Sequence, residues 1–130
     1  MKTRDFFKLF FIVVGVYDVL LGGAFAVFYK NIYAYLNIAL PNHPGYIFVP
    51  ALFIIAGGIG EFLIAKDPLR NVDLAIMRLL MKLSFALAVF YSYFKFGVPP
   101  IFMLISTASV IGVVVNIMFI RWANAENAKA

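Results

Sequence analysis

Residues Leu9–Phe28 read LFFIVVGVYDVLLGGAFAVF, an apolar run that contains a single charged side chain, Asp18. A helix needs roughly 20 residues to cross the hydrocarbon core of a bilayer, and this run has that length. Three more such runs follow, at about 47–65, 74–94 and 101–121. All four are continuously apolar, whereas membrane barrel strands alternate over about ten residues. The sequence therefore predicts an all-α polytopic membrane protein, with four transmembrane helices in an antiparallel bundle that forms one domain over residues 1–130.

The amino-acid composition indicates that lipid is the solvent of this chain. Of its 130 residues, 65% are hydrophobic and 13% are charged, and the mean hydropathy is +0.98. A small soluble domain buries only about 60–70% of the surface of its unfolded chain, so it could not hide this much apolar area. The chain has no cysteine, which excludes thiol relays, disulfide-forming membrane enzymes and thiolate metal or iron–sulfur sites. We predict no metal and no cofactor.

Lysines and arginines are distributed unevenly around the predicted spans. Seven lie before the first span, between the second and third, or after the fourth, and only two lie in the other loops. Cytoplasmic loops of membrane proteins carry the excess of positive charge. Both termini are therefore predicted to be cytoplasmic, in the plasma (inner) membrane. Because topology accounts for the net charge of +5, no nucleic-acid partner is predicted.

A secretory signal peptide is the alternative interpretation of the first span. Lys2 and Arg4, the apolar run and Ala24-Phe25-Ala26 match a basic start, an apolar core and a cleavage site. However, Lys8 and Asp18 interrupt the core, and the run is longer than the usual 7–15 residues. We therefore interpret Leu9–Phe28 as a permanent span.

The longest connection lies between the first two spans, at Asn31–Gly45. Its alternation of apolar and polar residues predicts a short interfacial helix on the outer surface. His43 could bind a metal or titrate near neutral pH, but it lies among proline, asparagine and glycine residues typical of a turn. We interpret it as part of a solvated loop.

Small residues and polar residues recur together at helical spacing. In the first span Asp18 shares a stripe with Gly15 and Gly22, which would allow a neighbouring backbone to come close. Glu61 of the second span follows Gly57, and Asn116 of the fourth span follows Gly112, each by four residues. The third span has two cations on one face instead. The candidate polar cluster, a site for a ligand, is Asp18, Glu61, Arg78, Lys82 and Asn116.

Depth along the helices suggests how these side chains would pair. At about 1.5 Å per residue, Glu61, Arg78 and Asn116 lie within roughly 6–7 Å of the cytoplasmic edge, and Lys82 and Asp18 about 12–18 Å from it. We expect ion pairs between Asp18 and Lys82 and between Glu61 and Arg78. A neutral cluster could serve only to fix helix register, or it could bind a ligand, an ion or a proton. Serines in the spans lack a histidine partner, so no catalytic residue is predicted.

The order of these features resembles the DoxX-like group of small four-helix inner-membrane proteins. The resemblance rests on Gly15-Val16-Tyr17-Asp18-Val19-Leu20-Leu21-Gly22 in the first span, Ala56-Gly57-Gly58-Ile59-Gly60-Glu61 in the second, an inward lysine in the third and a polar fourth span. It implies an accessory role, or a membrane subunit of a quinone-linked oxidoreductase. It assigns no quinone-binding residue here.

Small multidrug-resistance exporters are a second comparison, because they too have four short spans and an acidic residue in the first. Those exporters insert in both orientations, whereas the charge bias of this chain fixes one orientation. We therefore predict a non-enzymatic binding or accessory subunit with an intramembrane polar cluster. A proton-coupled transporter or exporter that uses Asp18 is the alternative. The predicted partners are the lipid bilayer and a homo-oligomer or larger membrane complex.

Overall fold

The protein consists of four α-helices joined by short loops. This computed structural model describes all 130 residues. The helices are α1 (Thr3–Tyr35), α2 (Gly45–Lys66), α3 (Val72–Phe96) and α4 (Pro100–Asn127). Each is long and apolar enough to cross a membrane. The predictions of an all-α fold and of four membrane-spanning helices are therefore confirmed.

Each helix extends beyond the apolar run that predicted it, and local residues explain where some of the helices end. Helix α3 stops at Gly97, whose φ of +74° lies in the left-handed region that glycine adopts without a steric penalty. Helix α4 begins at Pro100, because the fixed φ of proline suits the first helical position and its missing N–H is not needed there.

The predicted interfacial helix between the first two spans is wrong. Helix α1 instead continues to Tyr35 through a bend at Phe28, where φ and ψ are −110° and 20°. Residues 36–44 contain no helix. Extending an existing helix avoids the cost of nucleating a new one, which explains why this amphipathic segment joins α1. Asn37, with a φ of +55°, turns the chain out of the helix, a conformation that asparagine tolerates better than most residues.

The chain divides into two compact units, each of which is a helical hairpin. The first hairpin comprises Met1–Lys66 and packs α1 against α2; the second comprises Asp67–Ala130 and packs α3 against α4. In the first hairpin the two helices run antiparallel, since Gly15 and Gly22 of α1 lie against Gly58 and Ala51 of α2. The second hairpin is also antiparallel, since Lys82 of α3 lies against Gly112 of α4 and the end of α4 returns to the start of α3. In the second hairpin, Asn127 Nδ2 donates a hydrogen bond to Leu69 O (3.0 Å) and ties the end of α4 to the loop before α3.

Large apolar side chains cover the outer surface of the helices. Leu20, Val27, Leu52 and Leu104 are each more than 60% exposed. Most buried positions are instead small or polar, and the only large apolar side chains with no exposure are Phe11, Ile64 and Phe119. This inside-out distribution suits helices that are surrounded by acyl chains rather than by water.

Candidate functional site

Glycines bring the two helices of the first hairpin into backbone contact. A β-carbon added at Gly22 would lie 2.6 Å from Ala51 O, and one added at Gly58 would lie 2.8 Å from Gly15 O. A real side chain could not occupy either position without moving the neighbouring helix. Lipid offers no hydrophobic driving force between helices, so close packing of small residues is what holds such pairs together.

Asp18 lies beside this glycine contact, on the side of α1 that meets α2. A β-carbon at Gly58 would be 3.1 Å from the β-carbon of Asp18. Glu61 follows Gly58 by three residues and is fully buried. In this antiparallel pair, residues of α1 and α2 that lie opposite each other have numbers that sum to about 75, as the contacts of Gly15 and Gly22 show. Asp18 therefore lies opposite roughly residue 57, and Glu61 is about four residues, or roughly 6 Å, further along α2. At about 100° of rotation per residue, both carboxylates lie on the same flank of the hairpin.

The second hairpin carries the cations. Lys82 is only 8% exposed, and its aliphatic stem crosses α4 at a glycine, since a β-carbon at Gly112 would lie 3.2 Å from Lys82 Cδ. Arg78 is 6% exposed and its Nη1 donates to Met81 Sδ at 3.5 Å. The pairing of Lys82 with Gly112 in antiparallel helices puts Arg78 at the level of Asn116, one turn from Lys82.

Asn116 is the most unusual of the predicted site residues. Its side chain is fully buried, and neither its Oδ1 nor its Nδ2 has a hydrogen-bond partner. An unsatisfied buried polar group costs about 1–3 kcal/mol, and buried polar groups in proteins almost always have partners. The amide offers one acceptor oxygen and a two-hydrogen donor. A group that both donates and accepts would satisfy it.

Ser106 is a buried polar residue that sequence reasoning did not include in the cluster. Its hydroxyl is fully buried and has no hydrogen-bond partner. The neighbouring hydroxyls behave differently: Thr107 Oγ1 donates to Met103 O at 2.9 Å, and Ser109 Oγ donates to Ile105 O at 3.2 Å. All three residues look alike in sequence, so no sequence signal distinguishes the unsatisfied hydroxyl from the satisfied ones.

The four ionisable residues of the predicted cluster differ from Asn116 in having interaction partners. Asp18, Glu61, Arg78 and Lys82 each engage at least one other group, and buried salt bridges are present. Removing a charge from water is costly unless an opposite charge or hydrogen bonds compensate it. The structure thus brings the two acids together on the first hairpin, and the two bases and Asn116 together on the second.

Two other candidates have local roles. His43 Nδ1 accepts a hydrogen bond from the Gly45 N–H at 3.0 Å, and its ring packs edge-on against Tyr46 at a centroid distance of 6.4 Å. It therefore stabilises the turn that starts α2. Tyr17, next to Asp18 in sequence, is 42% exposed and points outward, because adjacent helical residues face different directions.

Comparison with known proteins does not extend this description. No family of known proteins, no curated protein and no solved structure matches the chain.

Proposed function

We propose that this chain is a small multi-pass membrane protein that binds a polar group among its spans, as a binding or accessory subunit without catalysis of its own. The observation that carries the proposal is the Asn116 side chain, which is fully buried with both amide atoms unpaired. A cluster that served only to hold helices in register would gain stability by satisfying or losing that amide. In a binding site the unpaired amide is useful, because it can form hydrogen bonds with the ligand.

The chemistry of the cluster restricts the class of ligand. Two carboxylates and two cations sum to zero, so the cluster has no net charge to attract an ion. Asn116 and the unpaired Ser106 hydroxyl both favour a group that donates and accepts hydrogen bonds. The ligand we propose is therefore small, polar and uncharged, such as a hydroxyl or amide compound. Its binding requires neighbouring side chains to move, because Asn116 and Ser106 have no exposed surface.

Replacement of Asn116 by leucine tests the proposal, because the variant is less stable if a group is bound there and more stable if none is. If a bound group satisfies the amide, Asn116→Leu will lower the free energy of unfolding by about 1–3 kcal/mol, because the bound group is lost. Reversible unfolding in mixed detergent micelles, followed by circular dichroism, measures this change. Asn124→Leu makes the same chemical change at an exposed position of α4 and should shift stability by less than about 0.5 kcal/mol. Stabilisation by Asn116→Leu would show that the site is empty and refute the proposal.

We further propose, from the sequence pattern, that the two acids neutralise the two bases, Asp18 with Lys82 and Glu61 with Arg78. Charge balance and the burial of Glu61, Arg78 and Lys82 support this pairing. Asp18→Asn and Lys82→Met should each reduce the yield of folded protein, because each leaves the opposite charge uncompensated within a membrane span. The double variant should recover most of that yield. Native-like yield of both single variants would contradict the pairing.

A proton-coupled transporter is the second candidate function. Its supporting observation is that Asp18, unlike Glu61, is only partly buried. Membership of the DoxX-like group, a role in a quinone-linked complex, and a plasma-membrane location with cytoplasmic termini remain proposals that rest on the sequence pattern. A homo-oligomer or a larger membrane complex is the proposed assembly.

A further inference from the structure

The first hairpin has a second charged group, separate from the polar cluster, at the end where the chain begins. Lys8 of α1 and Lys66 of α2 lie at nearly the same height along the hairpin. Their numbers sum to 74, and residues of these two helices that face each other have numbers that sum to about 75. Lys66 is exposed and Lys8 is partly exposed. Neither lysine takes part in a salt bridge or side-chain hydrogen bond. The hairpin thus presents two neighbouring cations that form no ion pair, although Asp5 precedes Lys8 by three residues and Asp67 directly follows Lys66.

Both lysines lie on one flank of the hairpin. Successive residues are rotated by about 100° around a helix axis. Lys8 is therefore about 30° away from the direction in which α1 faces α2, and Lys66 is about 50° away from the direction in which α2 faces α1. Both rotations have the same sense along their own helix. Rotations in the same sense on antiparallel helices point to the same side of the pair. Asp18 and Glu61 are rotated in the opposite sense. The two lysines therefore do not belong to the polar cluster.

The flank beneath the lysines is apolar and open. Ile12 is 45% exposed and Ile59 is 53% exposed, and both lie on the lysine flank, about 6–10 Å deeper in the membrane than Lys8 and Lys66. Further along α1, a β-carbon at Gly23 would meet no atom within 4 Å. A pair of cations above an exposed apolar strip matches the two halves of an anionic phospholipid, a phosphate and its acyl chains.

We infer that Lys8 and Lys66 bind the phosphate of an anionic phospholipid in the leaflet on the side of the chain termini, with its acyl chains along Ile12 and Ile59. Lys2 and Arg4 add two more cations near Lys8, and Asp5 and Asp67 reduce the sum of these six charges to +2. Lys66 also lies in the last turn of α2, where its charge interacts favourably with the helix dipole and remains available to a ligand.

The lipid retained by the purified protein tests this inference. The full chain would be reconstituted in nanodiscs with equal amounts of phosphatidylglycerol and phosphatidylcholine, released, and examined by native mass spectrometry. Wild-type protein should retain phosphatidylglycerol preferentially. In the double variant Lys8→Gln/Lys66→Gln this preference should fall about 20- to 30-fold, since each lysine near an anionic surface contributes about 1 kcal/mol, or roughly 5-fold. Lys8→Arg/Lys66→Arg should keep it.

Matched controls separate a specific site from bulk charge. Lys129→Gln removes a cation near the other end of the chain, where Lys129 Nζ pairs with Glu126 at 2.7 Å, and should leave the lipid preference unchanged. An equal loss in Lys129→Gln, or an unchanged preference in Lys8→Gln/Lys66→Gln, would overturn the inference. Full displacement of the lipid by inorganic phosphate would also overturn it, because the apolar strip would then contribute nothing. Circular dichroism of each variant verifies that it is folded.

Discussion

Individual glycines decide how closely the two helices of the first hairpin approach. Gly15, Gly22 and Gly58 each occupy a position where a β-carbon would lie under 3.0 Å from an atom of the other helix. Gly23 is adjacent to Gly22 but meets nothing within 4 Å. Two adjacent glycines therefore lie in different environments: Gly22 contacts α2, and Gly23 does not contact another helix.

This difference yields a prediction with a built-in control. Gly22→Ala should lower the free energy of unfolding by about 1–3 kcal/mol, because the new methyl group forces α1 away from Ala51 and Ile55. Gly23→Ala should be neutral or stabilising by up to about 1 kcal/mol, because alanine favours the helix more than glycine does. Detergent unfolding followed by circular dichroism measures both. Equal destabilisation of the two variants would contradict a specific contact at Gly22.

For individual residues, the sequence predicts which side chains share a helix face, but it does not predict which side chains form hydrogen bonds. The stripe of Gly15, Asp18 and Gly22 follows from the helical repeat alone, and the structure puts these residues against α2. The state of the Ser106 hydroxyl and of the Asn116 amide does not follow from spacing. It depends on which acceptors lie within about 3 Å of each atom, and this is fixed only when the neighbouring helices are in place.

At the scale of elements, the apolar runs predict the existence of all four helices but not their ends. Membrane thickness sets the length of an apolar run, whereas capping residues and loop geometry set where the helix stops. Gly97 and Pro100 are readable signals of this kind. The alternation of apolar and polar residues within Asn31–Gly45 predicts a separate helix, but a pattern of this kind does not reveal whether the backbone is continuous with the helix before it.

Helix α3 is the span whose side chains are most costly to insert into lipid. It carries Arg78 and Lys82, both buried within the protein, and a lysine or arginine near the centre of a span disfavours insertion by about 2.5–3.5 kcal/mol. Packing against α4 offsets part of this cost, since the stem of Lys82 lies over Gly112. Stability of α3 in the membrane therefore depends on its neighbours more than that of α1, α2 or α4.

At the scale of the whole molecule, the sequence and the structure agree on an even number of membrane-spanning helices. An even number of crossings puts both termini on one side of the membrane. The lysine and arginine bias predicts that this side is the cytoplasm. Because the natural chain has no cysteine, single cysteines can report on topology without any background.

Labelling with a membrane-impermeant maleimide tests the predicted orientation in intact cells. His43→Cys, in the loop between α1 and α2, should react from outside. Lys2→Cys and Lys129→Cys should react only after the cells are opened, because both lie outside the spans on the side that the charge bias predicts to be cytoplasmic. Labelling of either terminal cysteine in intact cells would contradict the orientation and place the positive charges on the outer surface.

The bend at Phe28 has a consequence for bilayer thickness. Helix α1 has 33 residues, so a straight helix would be about 50 Å long, well beyond a hydrocarbon core of about 30 Å. The 25 residues before the bend account for roughly 37 Å, which a moderately tilted span accommodates. We expect the turns after Phe28 to absorb hydrophobic mismatch by changing their angle, so that the protein can enter thinner or thicker bilayers without disturbing the glycine contacts below.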